Sequence, residues 1–250
     1  MKSKLSLVLV GIAIYLVFLV ANIPANQVIN RVTLPNNVSI QNVSGTLWQG
    51  KAQAVEVNGL RVSNLNWRLS FVPLLWGSVS VELDGGNVRQ GQQISLVGEL
   101  TTNWSDFSQL HSDDFILYLP TDQVLANVAL PIPVKAGGRF RVIVNELEFD
   151  KQCETLDANG EWLNAQVAGT QGQIQLGSFG AILSCVDQVI VAKVAEPNML
   201  GLSLDARVSG LRNISVTGQF KPDASLPDEV HQAAQFFGQA NAQGYREIKL

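Results

Sequence analysis

The sequence has few of the residue types from which catalytic and metal sites are built. It contains two histidines, His111 and His231, and two cysteines, Cys153 and Cys185. No C-x-x-C pair is present, so the spacing of a structural zinc site is missing. No G-x-S-x-G is present, and neither histidine has an obvious serine partner for nucleophilic catalysis. We therefore predict that the protein is not an enzyme, with no catalytic residue, no metal ligand and no cofactor.

Each histidine still has an alternative interpretation. His111 stands beside Asp113 and Asp114 in LHSDDF, which could supply a metal ligand or an acid–base pair. Three polar residues between apolar runs more often form a solvated loop, and we favour that reading. His231 has Gln235 rather than a second ligand at the i+4 position, so we place it on a helix surface.

Charge is also sparse. Only 15% of the residues are charged, the net charge is −4, and like charges do not form runs. A nucleic-acid-binding protein presents a clustered basic face. The composition therefore excludes nucleic acid as a predicted partner.

One long apolar run is present at the N-terminus. Residues 5–23, LSLVLVGIAIYLVFLVANI, carry no charge and would be about 28 Å long as a helix. Because a bilayer core is about 30 Å thick, we predict a transmembrane anchor over 5–23, with residues 1–4 in the cytoplasm because Lys2 and Lys4 precede the run. A cleaved signal peptide is the alternative, but such segments are shorter, and Pro24 interrupts the candidate cleavage site.

The two cysteines leave two possibilities open. In a reducing compartment Cys153 and Cys185 would be buried thiols, whereas in an oxidising compartment they can pair. With the predicted topology, the chain beyond the anchor lies across the membrane from the cytoplasm. We therefore predict a disulfide, whose closed loop stabilises the fold by about 3–4 kcal/mol in the chain-entropy model.

Beyond the N-terminal run, apolar residues recur at every second position, as half-buried strands require. Examples are Leu65, Trp67 and Leu69; Val79, Val81 and Leu83; Phe140, Val142 and Val144; and Leu202, Leu204 and Ala206. Glycine-containing turns separate these runs at intervals of about 8–12 residues, and Asn58-Gly59 and Asp84-Gly85 predict tight hairpins. The fold class is mainly β: a curved antiparallel sheet or sandwich of many short strands, with the transmembrane helix before it and one short helix near the C-terminus.

The helical signals are few. Residues 226–244 carry Pro and two acids in the first turn, an apolar stripe and a terminal glycine, which predicts a helix. Residues 121–131 are a shorter candidate, and 245–250 predict a last strand. Similar Gly- and Trp-containing segments at 45–59 and 160–172 suggest that the β-rich domain, 45–250, consists of two similar halves, 45–130 and 131–222.

The segment FVPLLWGS, residues 71–78, does not alternate and contains a proline. It is either a buried bend or an exposed patch that faces a membrane or a partner. We select Phe71, Leu74, Leu75 and Trp76 as candidate contact residues. The remaining tryptophans are interpreted as strand packing, with a ligand platform as the alternative. These remaining tryptophans are Trp48, Trp67, Trp104 and Trp162.

The order of several motifs resembles a known family. They are VSGTLWQGKA (43–52), NLNWRLSFVPLLWGSVSVEL (64–83), KAGGRFRVIVNEL (135–147), NGEWLNAQVA (159–168) and LGSFGAILSC (176–185). Together they are similar to the type II secretion system protein N family, whose members are bitopic inner-membrane components of the general secretion pathway in Gram-negative bacteria. The resemblance covers nearly the whole chain, and the family offers no catalytic residue to carry over.

The resemblance implies a single-pass protein of the bacterial inner membrane. The N-terminus would be cytoplasmic, residues 24–44 a periplasmic linker, and residues 45–250 a periplasmic domain. It also implies a non-enzymatic accessory or assembly role in exporting folded proteins across the outer membrane, through contacts with other type II secretion components in the inner-membrane platform and the periplasm. The alternative is a membrane-anchored periplasmic protein whose β-groove binds a lipid or another hydrophobic ligand.

Overall fold

A computed structural model describes residues 2–31, 34–35, 37–89, 91–125, 135–209 and 214–249, with side chains from Val8 onward. Within these ranges there are five α-helices: α1 (Lys2–Ala21), α2 (Ala25–Ile29), α3 (Phe71–Leu74), α4 (Thr121–Leu125) and α5 (Asp228–Ala234), the last extended by a 3₁₀ turn at Gln235–Phe237. The first six strands are β1 (Val38–Gly45), β2 (Gln49–Val57), β3 (Leu60–Ser70), β4 (Ser78–Gly85), β5 (Ser95–Asn103) and β6 (Asp106–Pro120). The others are β7 (Ala136–Asp150), β8 (Gln152–Gly169), β9 (Gly172–Val186), β10 (Val189–Val194), β11 (Ser203–Val208), β12 (Ile214–Phe220) and β13 (Arg246–Lys249).

All thirteen strands of the described residues form one sheet, and their spatial order is their order in the sequence. Each consecutive pair in the central part is antiparallel, for example β6 with β7 and β8 with β9. The prediction of a mainly β, antiparallel fold is confirmed. Of its two variants, the single sheet is present and the sandwich is not, because a sandwich needs a second sheet packed against the first.

The alternation of the sequence becomes two chemically different faces of this sheet. Val142 pairs with Gly160, Gly160 with Ala181, Ala181 with Val194, and Val194 with Leu204. Directly opposite residues in a sheet share a face, so this row of five lies on one side. We call that side the apolar face.

The other side is the polar face. Its rows consist of residues one position along each strand from those of the apolar face. One such row runs from Ile182 through Lys193, Asp205 and Thr217 to Lys249. In an ordinary domain a second layer would cover the apolar face, since an uncovered apolar face loses the hydrophobic stabilisation of burial.

The sheet curls instead of lying flat. Leu119 of β6 and Ile248 of β13 line the same groove, although their strands are seven positions apart. Seven strand spacings in a flat sheet would separate them by about 34 Å. The curl therefore turns the apolar face inward and makes it concave between β6 and β13.

Curling does not produce a compact core. The accessible surface of the chain is 16127 Å², whereas a compact monomer of this mass exposes about 10,900 Å². The main cluster of buried side chains is small and lies where β8 and β9 meet α5. It consists of Ala165, Leu176, Phe179 and Leu226.

The helix α1 does not support the predicted membrane anchor. Within the described part of the chain, no helix combines the length and the apolar character that crossing a membrane requires. The predicted transmembrane helix over 5–23 is therefore wrong, and so is the predicted location as a single-pass inner-membrane protein with a cytoplasmic N-terminus and a periplasmic C-terminal domain.

Local predictions have mixed outcomes. Asn58 and Gly59, with φ of 53° and 81°, form the tight turn between β2 and β3, as predicted. Asp84 and Gly85 lie inside β4, so the second predicted hairpin turn is wrong. A side chain at Gly85 would meet Leu65 and Val62 of the apolar face at 2.8 Å, so this glycine permits close packing within the sheet.

The helical predictions are also only partly matched. The predicted helix over 226–244 is shorter, because Gly238 adopts a φ of 103° directly after the 3₁₀ turn. The last strand is confirmed as β13. Residues 24–44, predicted as a linker, contain α2 and most of β1. Of the candidate helix 121–131, α4 accounts for the first five residues, and 126–131 lie outside the described residues.

Candidate functional site

The two cysteines form a disulfide in the structure. Cys153 lies at the beginning of β8 and Cys185 near the end of β9, with a Cα–Cα distance of 5.6 Å. Cys153 is buried, with 2% of its surface exposed. Of the two alternatives that the sequence left open, the paired one fits the structure. The bond ties the ends of two long neighbouring strands beside the concave part of the sheet.

The prediction that His111 lies in a loop is wrong, because His111 lies in β6. Its Nε2 is 3.2 Å from Oδ2 of Asp113, and the two side chains are 45% and 66% exposed. Asp114 adopts a φ of 57°, which marks an irregularity in the strand. Among the described residues no group of three His, Cys, Asp or Glu side chains is arranged to hold a metal ion. An exposed pair of this kind contributes little on its own.

Two aspartates with lowered pKa belong to turns. Ser108 donates hydrogen bonds to Asp106 from Oγ at 2.6 Å and from its backbone N–H at 3.0 Å, which lowers the pKa of that carboxyl. Ser225 does the same for Asp223, at 2.6 and 2.9 Å. Perturbed carboxylates often mark active sites, but here local turn hydrogen bonds explain both shifts.

The segment predicted as a contact site is mostly exposed. Its first half is the single helical turn α3, and the turn that follows ends at Gly77, which has a φ of 80°. The exposed fractions are 56% for Phe71, 66% for Leu75 and 75% for Trp76, whereas Leu74 is half-buried. Of the two interpretations of this segment, the structure therefore fits the exposed patch and not the buried bend.

Trp104 extends this patch from another part of the chain. Its backbone N–H donates to the carbonyl of Gly77 at 3.1 Å, and its indole lies close to Gly77. Its side chain is 65% exposed. The aromatic surface, as we call it, consists of Phe71, Val72, Leu75, Trp76 and Trp104 and lies at one end of the sheet. Such a group of large exposed apolar side chains is typical of an interaction surface.

The helix α1 reaches this end of the sheet through Trp48. The indole N–H of Trp48 donates to the carbonyl of Val20 at 2.7 Å, and the Trp48 ring meets Phe71 edge-on with centroids 5.6 Å apart. The carbonyls of a helix's last turn have no partner within the helix, so Trp48 supplies one. The backbone N–H of Leu47 also donates to the carbonyl of Ile23 at 2.9 Å.

The concave part of the apolar face forms a groove of about 560 Å³. Its floor has small residues on neighbouring strands: Gly160 on β8, Ala181 on β9, Ala192 on β10 and Ala206 on β11. Its wall is a row of three aromatic residues on β7, β8 and β9. The ring centroids in this row are 5.6 Å apart between Phe140 and Trp162 and 5.4 Å apart between Trp162 and Phe179.

The charges close to the groove are paired on the polar face. Arg141 donates a hydrogen bond to Glu161, its cross-strand neighbour. This bond raises the pKa of the Arg141 guanidinium, and partial burial opposes the rise. Both side chains are about one-third exposed, at 36% and 33%, so the pair adds little to stability. The groove itself is left almost wholly apolar.

Sequence reasoning missed one part of this arrangement and left another undefined. Trp104 was interpreted as strand packing, because nothing local shows that its turn meets the turn after α3. The sequence offers a hydrophobic groove only as an alternative and without named residues, because a packed core has the same alternation as an open face. The signal that was present is two pairs of small residues that face each other on neighbouring strands, Gly160 with Ala181 and Ala192 with Ala206, and it becomes visible once the register is known.

Comparison with known proteins decides the family. The family model described as "Type II secretion system (T2SS), protein N" matches residues 36–249, which include every strand of the sheet. The chain belongs to the type II secretion system protein N family. The resemblance recognised in the sequence is thereby confirmed, and membership implies a role in type II secretion.

Individual relatives agree with this assignment. The chain is 29% identical over 252 residues to the type II secretion system protein N of Aeromonas hydrophila, covering 98% of this chain and 96% of the relative. It is 27% identical over 253 residues to that of Vibrio cholerae serotype O1, covering the same shares. It is 26% identical over 260 residues to that of Pectobacterium carotovorum, covering 100% and 98%. No solved structure matches the chain.

Proposed function

We propose that this protein is a non-enzymatic accessory or assembly component of the type II secretion machinery and that it works by binding other components of that machinery. The observation that carries the proposal is the aromatic surface. Phe71, Val72, Leu75, Trp76 and Trp104 come from two separate connections of the sheet and are each more than half exposed. Tryptophan and phenylalanine are enriched in the central contacts of protein interfaces, and their exposure without a partner costs solvation free energy.

The surroundings of this surface favour a binding role. The β3–β4 connection that carries Trp76 is held by three backbone hydrogen bonds, donated by residues 75–77 to the carbonyls of Val72, Pro73 and Leu74. Trp104 is fixed to Gly77 by its own backbone. The side chains are thus displayed from an ordered backbone, which reduces the entropy that ordering costs on binding. Membership in a family of secretion-system components supports the non-enzymatic part of the proposal.

A pair of substitutions tests the role of the aromatic surface. We expect Trp76→Asp with Trp104→Asp to lower export of type II substrates at least threefold when the variant replaces the wild-type gene. The reason is that an interface residue turned into a charged one must be desolvated without a partner. The measurement is the fraction of a secreted enzyme found in the culture medium at equal cellular amounts of the variant.

The matched control is Phe236→Asp, which changes a side chain that is 71% exposed but lies in the 3₁₀ turn after α5. Export should stay at the wild-type level in this strain. A photoreactive amino acid at position 76 should crosslink to other secretion components, and one at position 236 should not. Normal export with the Trp76 and Trp104 variant would contradict the proposal.

A further inference from the structure

We infer that the groove on the apolar face binds the acyl chain of a lipid. The floor crosses the strands obliquely. Gly160 lies opposite Ala181 on β8 and β9, and Ala192 lies opposite Ala206 on β10 and β11, with a step of two residues between the two pairs. The small side chains lower the floor relative to the aromatic wall of Phe140, Trp162 and Phe179. This shape is a channel whose long axis runs obliquely across the sheet.

The groove is long enough to hold a single extended acyl chain. From β7 to β12 the channel crosses five strand spacings, or about 24 Å. One leaflet of a bilayer is half of a core about 30 Å thick, so an acyl chain of about 15 Å is shorter than the channel and can lie within it. The volume of about 560 Å³ lies within the range of small-ligand sites, about 300–1,000 Å³.

The chemistry of the lining excludes an occupant with a free peptide backbone. The backbone groups of these strands are engaged in the sheet, and the side chains of the floor and wall are hydrocarbon apart from the indole N–H of Trp162. That N–H already donates to the carbonyl of Gly137 at 3.0 Å. An extended peptide would bring N–H and C=O groups that find no partner, at a cost of several kcal/mol each. An acyl chain brings no polar group.

The curvature disfavours a second copy of this chain as the occupant. A second copy of this chain would have to present the same surface in a two-fold dimer, and two concave faces are not complementary to each other.

The energetic argument is the uncovered surface itself. A ligand that removes the exposed apolar surface of the groove side chains from water contributes a binding free energy of about 25 cal/mol per Å². Each buried CH₂ of an acyl chain contributes about 0.8 kcal/mol. Among the described residues, α4 and the 3₁₀ turn border the groove through Val124, Leu125 and Phe237, but no second sheet lies over it.

Photolabelling of the full chain in cells tests the inference. Cells are fed a hexadecanoic acid that carries a diazirine at mid-chain and are then irradiated. The protein is purified, and its labelled positions are mapped by mass spectrometry. We expect labels on β7–β12. Substituting Ala181→Phe fills the floor and should reduce labelling at least tenfold. Ile182→Phe, the next residue on the opposite face and 64% exposed, should leave labelling within twofold of wild type.

Further readouts keep the test decisive. Circular dichroism shows whether Ala181→Phe perturbs folding. If it does, Ala206→Leu is the variant to use, because it places a smaller obstruction on another strand and should also reduce labelling. Labels confined to residues 8–21, or equal labelling of both position-181 and position-182 variants, would overturn the inference. A dimer in solution that Ala181→Phe dissociates would also overturn it, since a second copy would then cover the groove. The same holds for a protein partner that crosslinks to β7–β12.

Discussion

Replacing both Cys153 and Cys185 by serine is expected to lower the free energy of unfolding by about 3–4 kcal/mol. The disulfide closes a loop with a sequence separation of 32. Removing the crosslink restores the conformational freedom of that loop in the unfolded chain, which is the main loss in the chain-entropy model.

Urea unfolding followed by tryptophan fluorescence measures the effect. Oxidised wild type and the double serine variant are compared first, and both are then measured with a reductant present. We expect the reductant to bring wild type to the stability of the variant and to leave the variant unchanged. Equal stability of the oxidised wild type and the variant would show that the bond does not constrain the unfolded chain as argued.

Phe179→Ala is expected to lower the free energy of unfolding by about 3–5 kcal/mol, the usual range for a buried phenylalanine. Phe179 is 3% exposed. Its ring stacks on Trp162 with centroids 5.4 Å apart, and it packs with Leu176 and Leu226 in the buried cluster. The substitution leaves a cavity at the point where the sheet meets the segment before α5, so this packing is lost together with the stacking.

The control for this substitution lies on the same strand. Ile182→Ala removes a side chain that is 64% exposed and faces away from the groove. Its effect should stay within about 0.5 kcal/mol, as for most surface changes. Calorimetric melting of the two variants and wild type supplies the comparison. Losses of similar size at positions 179 and 182 would mean that the two faces of the sheet do not differ in burial as described.

The elements that the sequence predicted correctly are those with local causes. The alternation of Leu65, Trp67 and Leu69 needs only the two-residue period of a strand. The turn at Asn58-Gly59 needs only two residues that tolerate positive φ. The family motifs are likewise local patterns in a fixed order, and the family match confirms them.

The errors arose where a local signal has more than one structural outcome. Asp84-Gly85 has the composition of a hairpin turn, but Gly85 is needed where Leu65 and Val62 pack closely against β4. The uncharged run at 5–23 was interpreted as a membrane anchor, and the structure does not support it. Residues 71–78 could form a buried bend or an exposed patch, and only the positions of α3 and Trp104 in the structure distinguish the two.

The sequence alone determined the strand content of this protein, its turn at Asn58-Gly59, its last strand and its family. These follow from periodicity, from turn chemistry and from motif order, all of which act over a few neighbouring residues. The tertiary structure alone decided that the strands form one curled sheet, that part of its apolar face forms an open groove and that Trp104 joins the surface of Phe71 and Trp76. The physical reason is that register, curl and exposure depend on contacts between residues distant in the chain, and alternation is the same whether a face is packed or open.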